Sequence, residues 1–180
     1  MSSGYASGGV SGDFLDAMRR VASTVSIITI AGPGDRWFGM TATSVTSVAM
    51  EPPSLLVCMN RRGGTHDVVE RVGRFCVNVL SESQADHCAR FAAPGPKTEG
   101  FASGDWQLRS GMPCLAGCRA TIICRVARHM VHGTHGIFIG DVEDVLIGER
   151  PANPLIYLDR AILPLQAGVA AARPTRRPAH

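Results

Sequence analysis

The hydrophobic pattern starts helical and then turns to strands. Phe14, Leu15, Met18, Val21 and Ala22 recur at helical spacing behind Asp13, a residue suited to cap a helix. The texture then changes. TVSIITI (24–30) is rich in β-branched residues, SLLVCM (54–59) is continuously apolar, and FCVNVL (75–80) alternates. ATIICRV (120–126) and GIFIGDVEDVLI (136–147) repeat the signature. Gly32-Pro33-Gly34, Pro52-Pro53 and Pro94-Gly95-Pro96 punctuate the series. Two short helices interrupt it. THDVVERV (65–72) sets Val68, Val69 and Val72 on one side with Thr65 placed to cap, and S-E-S-Q from Ser81 fits a capping box. Many strands, few helices and no regular alternation predict a mainly β fold with short helices. An antiparallel sheet closed or partly closed into a barrel fits better than a doubly wound parallel sheet.

Composition refines this picture. Residues 1–12 are rich in Gly and Ser and, like 166–180, are expected to form flexible tails, leaving 13–165 as one ordered domain. Hydrophobic residues make up 45% and charged residues 18%, with a mean hydropathy of +0.09. That is apolar for a soluble monomer of this size and points to a subunit interface. The net charge is only +3, and Arg173, Arg176 and Arg177 lie in the C-terminal tail. With no basic stripe interleaved with aromatics, nucleic acid is not an expected partner. No apolar run reaches the ~20 residues of a membrane span, and the N-terminus carries no secretory pattern. Cys58, Cys76, Cys88, Cys114, Cys118 and Cys124 form no C-x-x-C pair and sit mostly in apolar stretches, as small hydrophobes of a reduced, cytoplasmic protein.

Candidate chemistry concentrates between Trp37 and Val69. GMTATSVTS (39–47) carries five hydroxyl residues in nine positions. Hydroxyls suit the ribityl chain and polar ring edge of a flavin, and equally suit an ordinary polar edge strand. After SLLVCM come Asn60, Arg61, Arg62, Gly63 and Gly64, then a helix. Glycines admit an anion close to the backbone, a helix N-terminus offers free N–H groups, and two arginines add charge. The same loop also serves as a plain turn. HGTHGIFIG (132–140) offers His132 and His135, which suit either a ligand contact or a solvated hairpin. H-x-x-H without further ligands assigns no metal site. His66, His87, Asp141 and Glu143 show no catalytic pattern and are expected to be solvated.

Taken together, DFLDAMRRVASTVSIITI, GMTATSVTSVAMEPPSLLVCMNR, RFCVNVLSESQADHCARFA, GTHGIFIGDVEDV and NPLIYLDR resemble the flavin reductase-like family, the short reductase components of two-component flavin monooxygenases. The stretch around Asn60-Arg61 and GTH also looks like the pyrimidine-utilisation flavin reductases. The resemblance implies an antiparallel Greek-key split β-barrel that binds flavin and forms a homodimer, with FMN or FAD held non-covalently near the subunit interface. It implies that Trp37, Phe38, Gly39, Met40, Thr41, Ala42, Thr43 and Ser44 line the isoalloxazine, largely through the main chain. Cys58, Met59 and Asn60 would follow the ribityl chain, Gly64 and Thr65 would meet the phosphate, and Arg90 with Phe91 would close the site. His135 would pack beside the nicotinamide of NADH or NADPH. Four positions depart from the family pattern: Gly63 and Gly64 replace serines, Thr134 replaces an aspartate, and Ile162 stands where many relatives carry a tyrosine.

Hydride transfer from nicotinamide to flavin needs no protein nucleophile or metal, because the cofactors carry the chemistry. The absence of a triad or carboxylate pair therefore agrees with the resemblance. The implied activity is an NAD(P)H:flavin oxidoreductase that supplies reduced flavin to a flavin-dependent monooxygenase. The alternatives are a flavin-bound reductase acting on another acceptor such as a corrinoid, or a non-enzymatic flavin-binding electron carrier or sensor.

Overall fold

The computed structural model describes residues 9–93, 95, 97–148 and 153–165. In chain order these form α1 (Gly9–Arg19), β1 (Ser23–Thr24), β2 (Ser26–Ala31), β3 (Trp37–Ala42), β4 (Val45–Met50), β5 (Pro53–Asn60), α2 (Gly64–Val72) and β6 (Arg74–Val79). There follow α3 (Ala85–Ala92), α4 (Thr98–Phe101), β7 (Trp106–Arg109), β8 (Met112–Leu115), β9 (Ala120–His132), β10 (His135–Ile147), β11 (Leu155–Leu158) and β12 (Ala161–Pro164). Each strand expected from the sequence is present. The fold is mainly β with short helices, and all its ladders are antiparallel.

Seven strands make the main sheet, in the order β3-β2-β6-β9-β10-β5-β4. Its inner strands β2 and β6 are covered on both faces: in β2, Ser26 through Ile30 are all buried, and so are Phe75 to Asn78 in β6. Among the described residues no ladder joins β3 to β4, so hydrogen bonding does not close the sheet. The two edges are instead consecutive in the chain. Ser44, in the short link between them, donates to the Cys58 carbonyl at 3.1 Å and accepts from the Cys58 N–H at 3.2 Å.

The core has two parts. Ile28, Val57, Met59, Phe75, Ile123 and Phe138 pack within the curl of the main sheet. Ile27, Leu80, Phe91, Trp106 and Leu115 pack between β2, α3 and the β7–β8 hairpin. Asn78 anchors that hairpin. Fully buried, it donates to the Ile27 carbonyl at 3.1 Å and to Thr29 Oγ1 at 3.0 Å, and accepts from the Leu115 N–H at 2.9 Å. A buried amide satisfied in this way fixes register more than it adds stability.

Three local expectations need correction. Helix α1 begins at Gly9, so 9–12, read as part of a flexible tail, form its first turn and Asp13 lies inside the helix and does not cap it; the rest of the two predicted tails lies outside the described residues. Its apolar residues find no core, with Phe14 65% and Leu15 52% exposed. Thr65 does not cap α2: Gly63 occupies that position and no side chain caps the helix. The Ser81 capping box is present, with Gln84 Oε1 accepting from the Ser81 N–H at 3.0 Å, but it opens a single 3₁₀ turn that leads into α3.

Candidate functional site

One cavity of about 1090 Å³ lies against β3. Its floor is the run from Trp37 to Thr41, one end is the β5–α2 turn from Asn60 to Thr65, and its far wall comes from α3, α4 and the turn between them. Two contacts set the width. A Cβ on Gly39 would lie 2.5 Å from the Phe91 ring, and one on Gly100 would lie 2.7 Å from it. Phe91 is therefore held between a strand and a helix that both lack side chains at the contact. Its ring meets Phe101 edge-on at 4.9 Å and Trp106 at 5.5 Å, and Phe101 meets Trp37 at 5.5 Å. Aromatic packing of this kind makes a stiff apolar wall. Thr41 Oγ1 donates to the Cys88 carbonyl at 3.1 Å and ties the floor to α3.

The opposite end is polar. Asn60 Oδ1 accepts from the Arg62 N–H at 2.9 Å, and Gly63 N–H reaches the Asn60 carbonyl at 3.1 Å, which folds the turn tightly. The first turn of α2 then faces the cavity uncapped. Such a terminus, rich in N–H donors and at the positive end of the helix dipole, suits an anion. Arg36, Arg62 and Lys97 also line the cavity, against Asp35 as its one carboxylate among the described residues. Burial pulls the Lys97 ammonium below the ordinary lysine value, and its Nζ donates to the Ala93 carbonyl. The Arg36 guanidinium lies over the Phe38 ring at 5.5 Å.

The fifteen residues proposed from sequence to touch a flavin fall into three groups. Trp37, Phe38, Gly39, Met40, Thr41, Asn60, Gly64, Thr65 and Phe91 line this cavity. Ala42 and Thr43 line a smaller apolar hollow with Thr41, Cys88, Tyr157 and Ile162. Ser44, Cys58, Met59 and Arg90 line neither: Ser44 and Cys58 bond to each other, Met59 is core, and Arg90 is exposed on α3. His135 is exposed at the β9–β10 turn, paired in register with Asn60, its Nδ1 3.0 Å from Thr134 Oγ1. That register puts it at the rim beside the polar end.

Sequence reasoning passed over Asp35, Arg36, Lys97 and Phe101. The glycines and prolines around Lys97 mark only a loop, and long-range packing brings that loop to the cavity. It also misread His66, which is a buried residue of α2 at 2% exposure, and His87, whose side chain is 15% exposed and packs edge-on against Trp106 at 6.1 Å. Asp141 and Glu143 are surface partners of Arg125 and Arg74, as a solvated role requires.

An antiparallel β protein carrying a flat apolar slot that ends in an uncapped helix and three cations defines a class: a binder of a planar ring linked to an anion. Comparison places the chain within that class. The flavin reductase like domain matches residues 18–166, and the chain belongs to the flavin reductase-like family. The reductase component of an FADH(2)-dependent resorcinol hydroxylase from Rhizobium sp. (strain MTP-10005) is 42% identical over 151 residues, covering 83% of this chain and 84% of its own. An FMN reductase (NADH), RutF, from Stutzerimonas stutzeri (strain A1501) is 40% identical over 149 residues, covering 82% and 84%. Among solved structures, BorF, the flavin reductase component of a bacterial two-component tryptophan halogenase, is 28% identical with a TM-score of 0.78. It covers 86% of this chain and 98% of its own.

Proposed function

We propose that the chain is an NAD(P)H:flavin oxidoreductase that reduces FMN or FAD and delivers the reduced flavin to a flavin-dependent monooxygenase. The observation that carries this reading is the two-ended cavity, shaped for a ring over β3 and charged for a phosphate at α2, in a member of the flavin reductase-like family. The bound flavin supplies the hydride-accepting chemistry. The protein's part is positioning. Residues 37–41 offer a floor for the ring, Asn60 fixes the turn below the ribityl chain, and the N–H groups of Gly64 and Thr65 face the phosphate with Arg62 and Lys97. The aromatic wall of Phe91 and Phe101 keeps water from one side of the slot. His135, at the rim, meets the nicotinamide and holds it at near-attack distance.

The same reading extends to assembly. Exposed apolar side chains on α1, on β12 and at Val48 and Met50 support a homodimer, with the open sheet of each protomer acting as a split barrel near a shared interface. The ordered unit is taken as 13–165 extended by the first turn of α1. Six free thiols and the use of nicotinamide fit a cytoplasmic setting, and no helix among the described residues is long and apolar enough to cross a membrane.

The test is oxidation of NADH and of NADPH at 340 nm with riboflavin, FMN or FAD. Turnover that requires added flavin is expected, with all colour released on denaturation. Absence of nicotinamide oxidation by flavin-loaded protein would leave the electron-carrier reading in its place. Light scattering should show twice the 19.1 kDa chain mass, and an active monomer would remove the dimer.

A further inference from the structure

Two thiols that the reductase reading leaves unused touch each other beneath the β7–β8 hairpin. Cys76 of β6 and Cys114 of β8 stand 38 positions apart in the chain, with their Sγ atoms 3.8 Å from each other. A disulfide sets its sulfurs about 2.05 Å apart, so a movement of under ~2 Å joins them. The two thiols are not equivalent. Cys76 is fully buried, whereas Cys114 is 7% exposed and pairs across the hairpin with the exposed Gln107. Cys114 Sγ donates to the Met112 carbonyl at 3.5 Å, which leaves Cys76 as the donor between the sulfurs. That hydrogen bond and the Arg109 guanidinium pull the Cys114 thiol below the ordinary cysteine value. The same contact, and then burial, push the Cys76 thiol well above it. The cover over the pair is also the part of the fold that opens most readily. The hairpin is a two-stranded sheet of its own. Side chains fasten it to the main sheet: Thr29 Oγ1 donates to the Pro113 carbonyl, Asn78 Oδ1 accepts from the Leu115 N–H, and Arg74 donates to the Ser110 carbonyl. Local opening of such a unit costs less than global unfolding and admits a small oxidant to Cys114.

We propose that Cys76 and Cys114 form a dithiol that hydrogen peroxide oxidises to a disulfide, stapling the β7–β8 hairpin to β6. The Cys114 thiolate attacks one oxygen of the peroxide. An S–O bond forms, the O–O bond breaks, and the departing hydroxide takes up the proton the thiol released, leaving Cys114 as a sulfenic acid. The Cys76 sulfur then attacks the Cys114 sulfur. The S–S bond forms, the S–O bond breaks, and the second hydroxide leaves as water with the Cys76 proton. The dithiol has lost two electrons and the peroxide has become two waters; a thiol reductant reverses the change. The staple fixes β8 behind Leu115 and Trp106, which pack with Phe91, the wall of the large cavity. The source of the oxidant rests on the flavin reading: reduced flavin that meets dioxygen before its acceptor yields hydrogen peroxide at this chain. The dithiol itself does not rest on it.

The experiment uses the full chain, reduced, freed of reductant, treated with hydrogen peroxide, and mapped by mass spectrometry after its remaining thiols are blocked. Two of the six free thiols should disappear, with one peptide pair joined through Cys76 and Cys114. The Tm should rise by about 5–10 °C and fall back on addition of dithiothreitol. Cys114→Ser should abolish the link. Cys76→Ser should stop at the sulfenic acid, which dimedone traps on Cys114. Cys58→Ser and Cys118→Ser should leave the link unchanged. Circular dichroism checks folding, and the map of the unaltered chain decides the matter if the variant at buried Cys76 fails to fold. Oxidation of Met50, 79% exposed, with all six thiols intact would overturn the proposal. So would a link from Cys114 to Cys118 or between chains, or a Cys76–Cys114 bond that lowers the Tm, which would mean that the hairpin must undock for the bond to form. Nicotinamide oxidation enters none of these readouts, so failure of the dithiol and failure of the flavin reading are told apart.

Discussion

The two ends of the large cavity are built on opposite principles. The β3 end is made of main chain, paired along its length to β2 and pressed against Phe91 with no side chain between. The α2 end is made of glycines, free helix donors and long cationic side chains, and nothing packs within 4 Å of where a Gly64 Cβ would be. The first end selects by shape and tolerates almost no added atom. The second selects by charge and tolerates side-chain change. A ligand that spans both is therefore fixed at its ring and held more loosely at its phosphate, as suits a flavin that must be handed on.

Substitutions can separate the two ends. The largest effect is expected for Gly39→Val, which drives atoms into the Phe91 ring. Overpacking of this kind costs about 1–3 kcal/mol, so flavin affinity should fall by ~5- to 150-fold, for riboflavin and FMN alike. Phe91→Leu in the same chain should recover part of the loss, and strict additivity of the two changes would disprove the contact. Next comes the rim. His135→Ala should lower kcat/KM for NAD(P)H by ~5- to 150-fold with flavin affinity intact, the worth of one ring contact and one hydrogen bond. Unaltered nicotinamide kinetics would remove His135 from the site. At the charged end, Arg62→Ala and Lys97→Ala should each weaken FMN by roughly fivefold and leave riboflavin unchanged, because a partly exposed charge pair is worth about 1 kcal/mol. Equal losses for both flavins would mean that these cations shape the slot instead of meeting the phosphate. Smallest is Gly64→Ser, which restores a hydroxyl in open space and should tighten FMN by about two- to threefold.

The same contrast explains what the sequence disclosed. Features set by neighbours in the chain were legible: the strands at 24–30 and 120–126, the α2 helix and the Ser81–Gln84 box all follow from local pattern, and the family resemblance supplied the β3 segment. Features set by packing between distant segments were not. Lys97 and Phe101 reach the cavity only because α4 docks on Phe91. His66 reads as a polar residue on a short helix, yet it is buried because β9 and β10 pass beneath it. Helix α1 errs in the other direction. Its periodicity is that of a helix with a buried face, and among the described residues none of its side chains is buried. Periodicity marks an apolar face without saying what covers it.

The β9–β10 hairpin carries a consequence for how the molecule assembles. Its two 13-residue strands pair from the His132–His135 turn to their far ends at Ala120 and Ile147, with register shifts between Ile139 and Gly140 and between Val142 and Asp144, so these contacts close short loops first and lengthen outward from the turn. Strand β5, by contrast, must be brought to β10 across a long stretch of sequence. Contacts of that separation are slow to form, whereas a hairpin zips in microseconds. The hairpin thus offers a ready template on which β5 and β6 dock from either side. The pairing of Asn60 with His135, which sets the rim of the cavity, belongs to the slower of these two events.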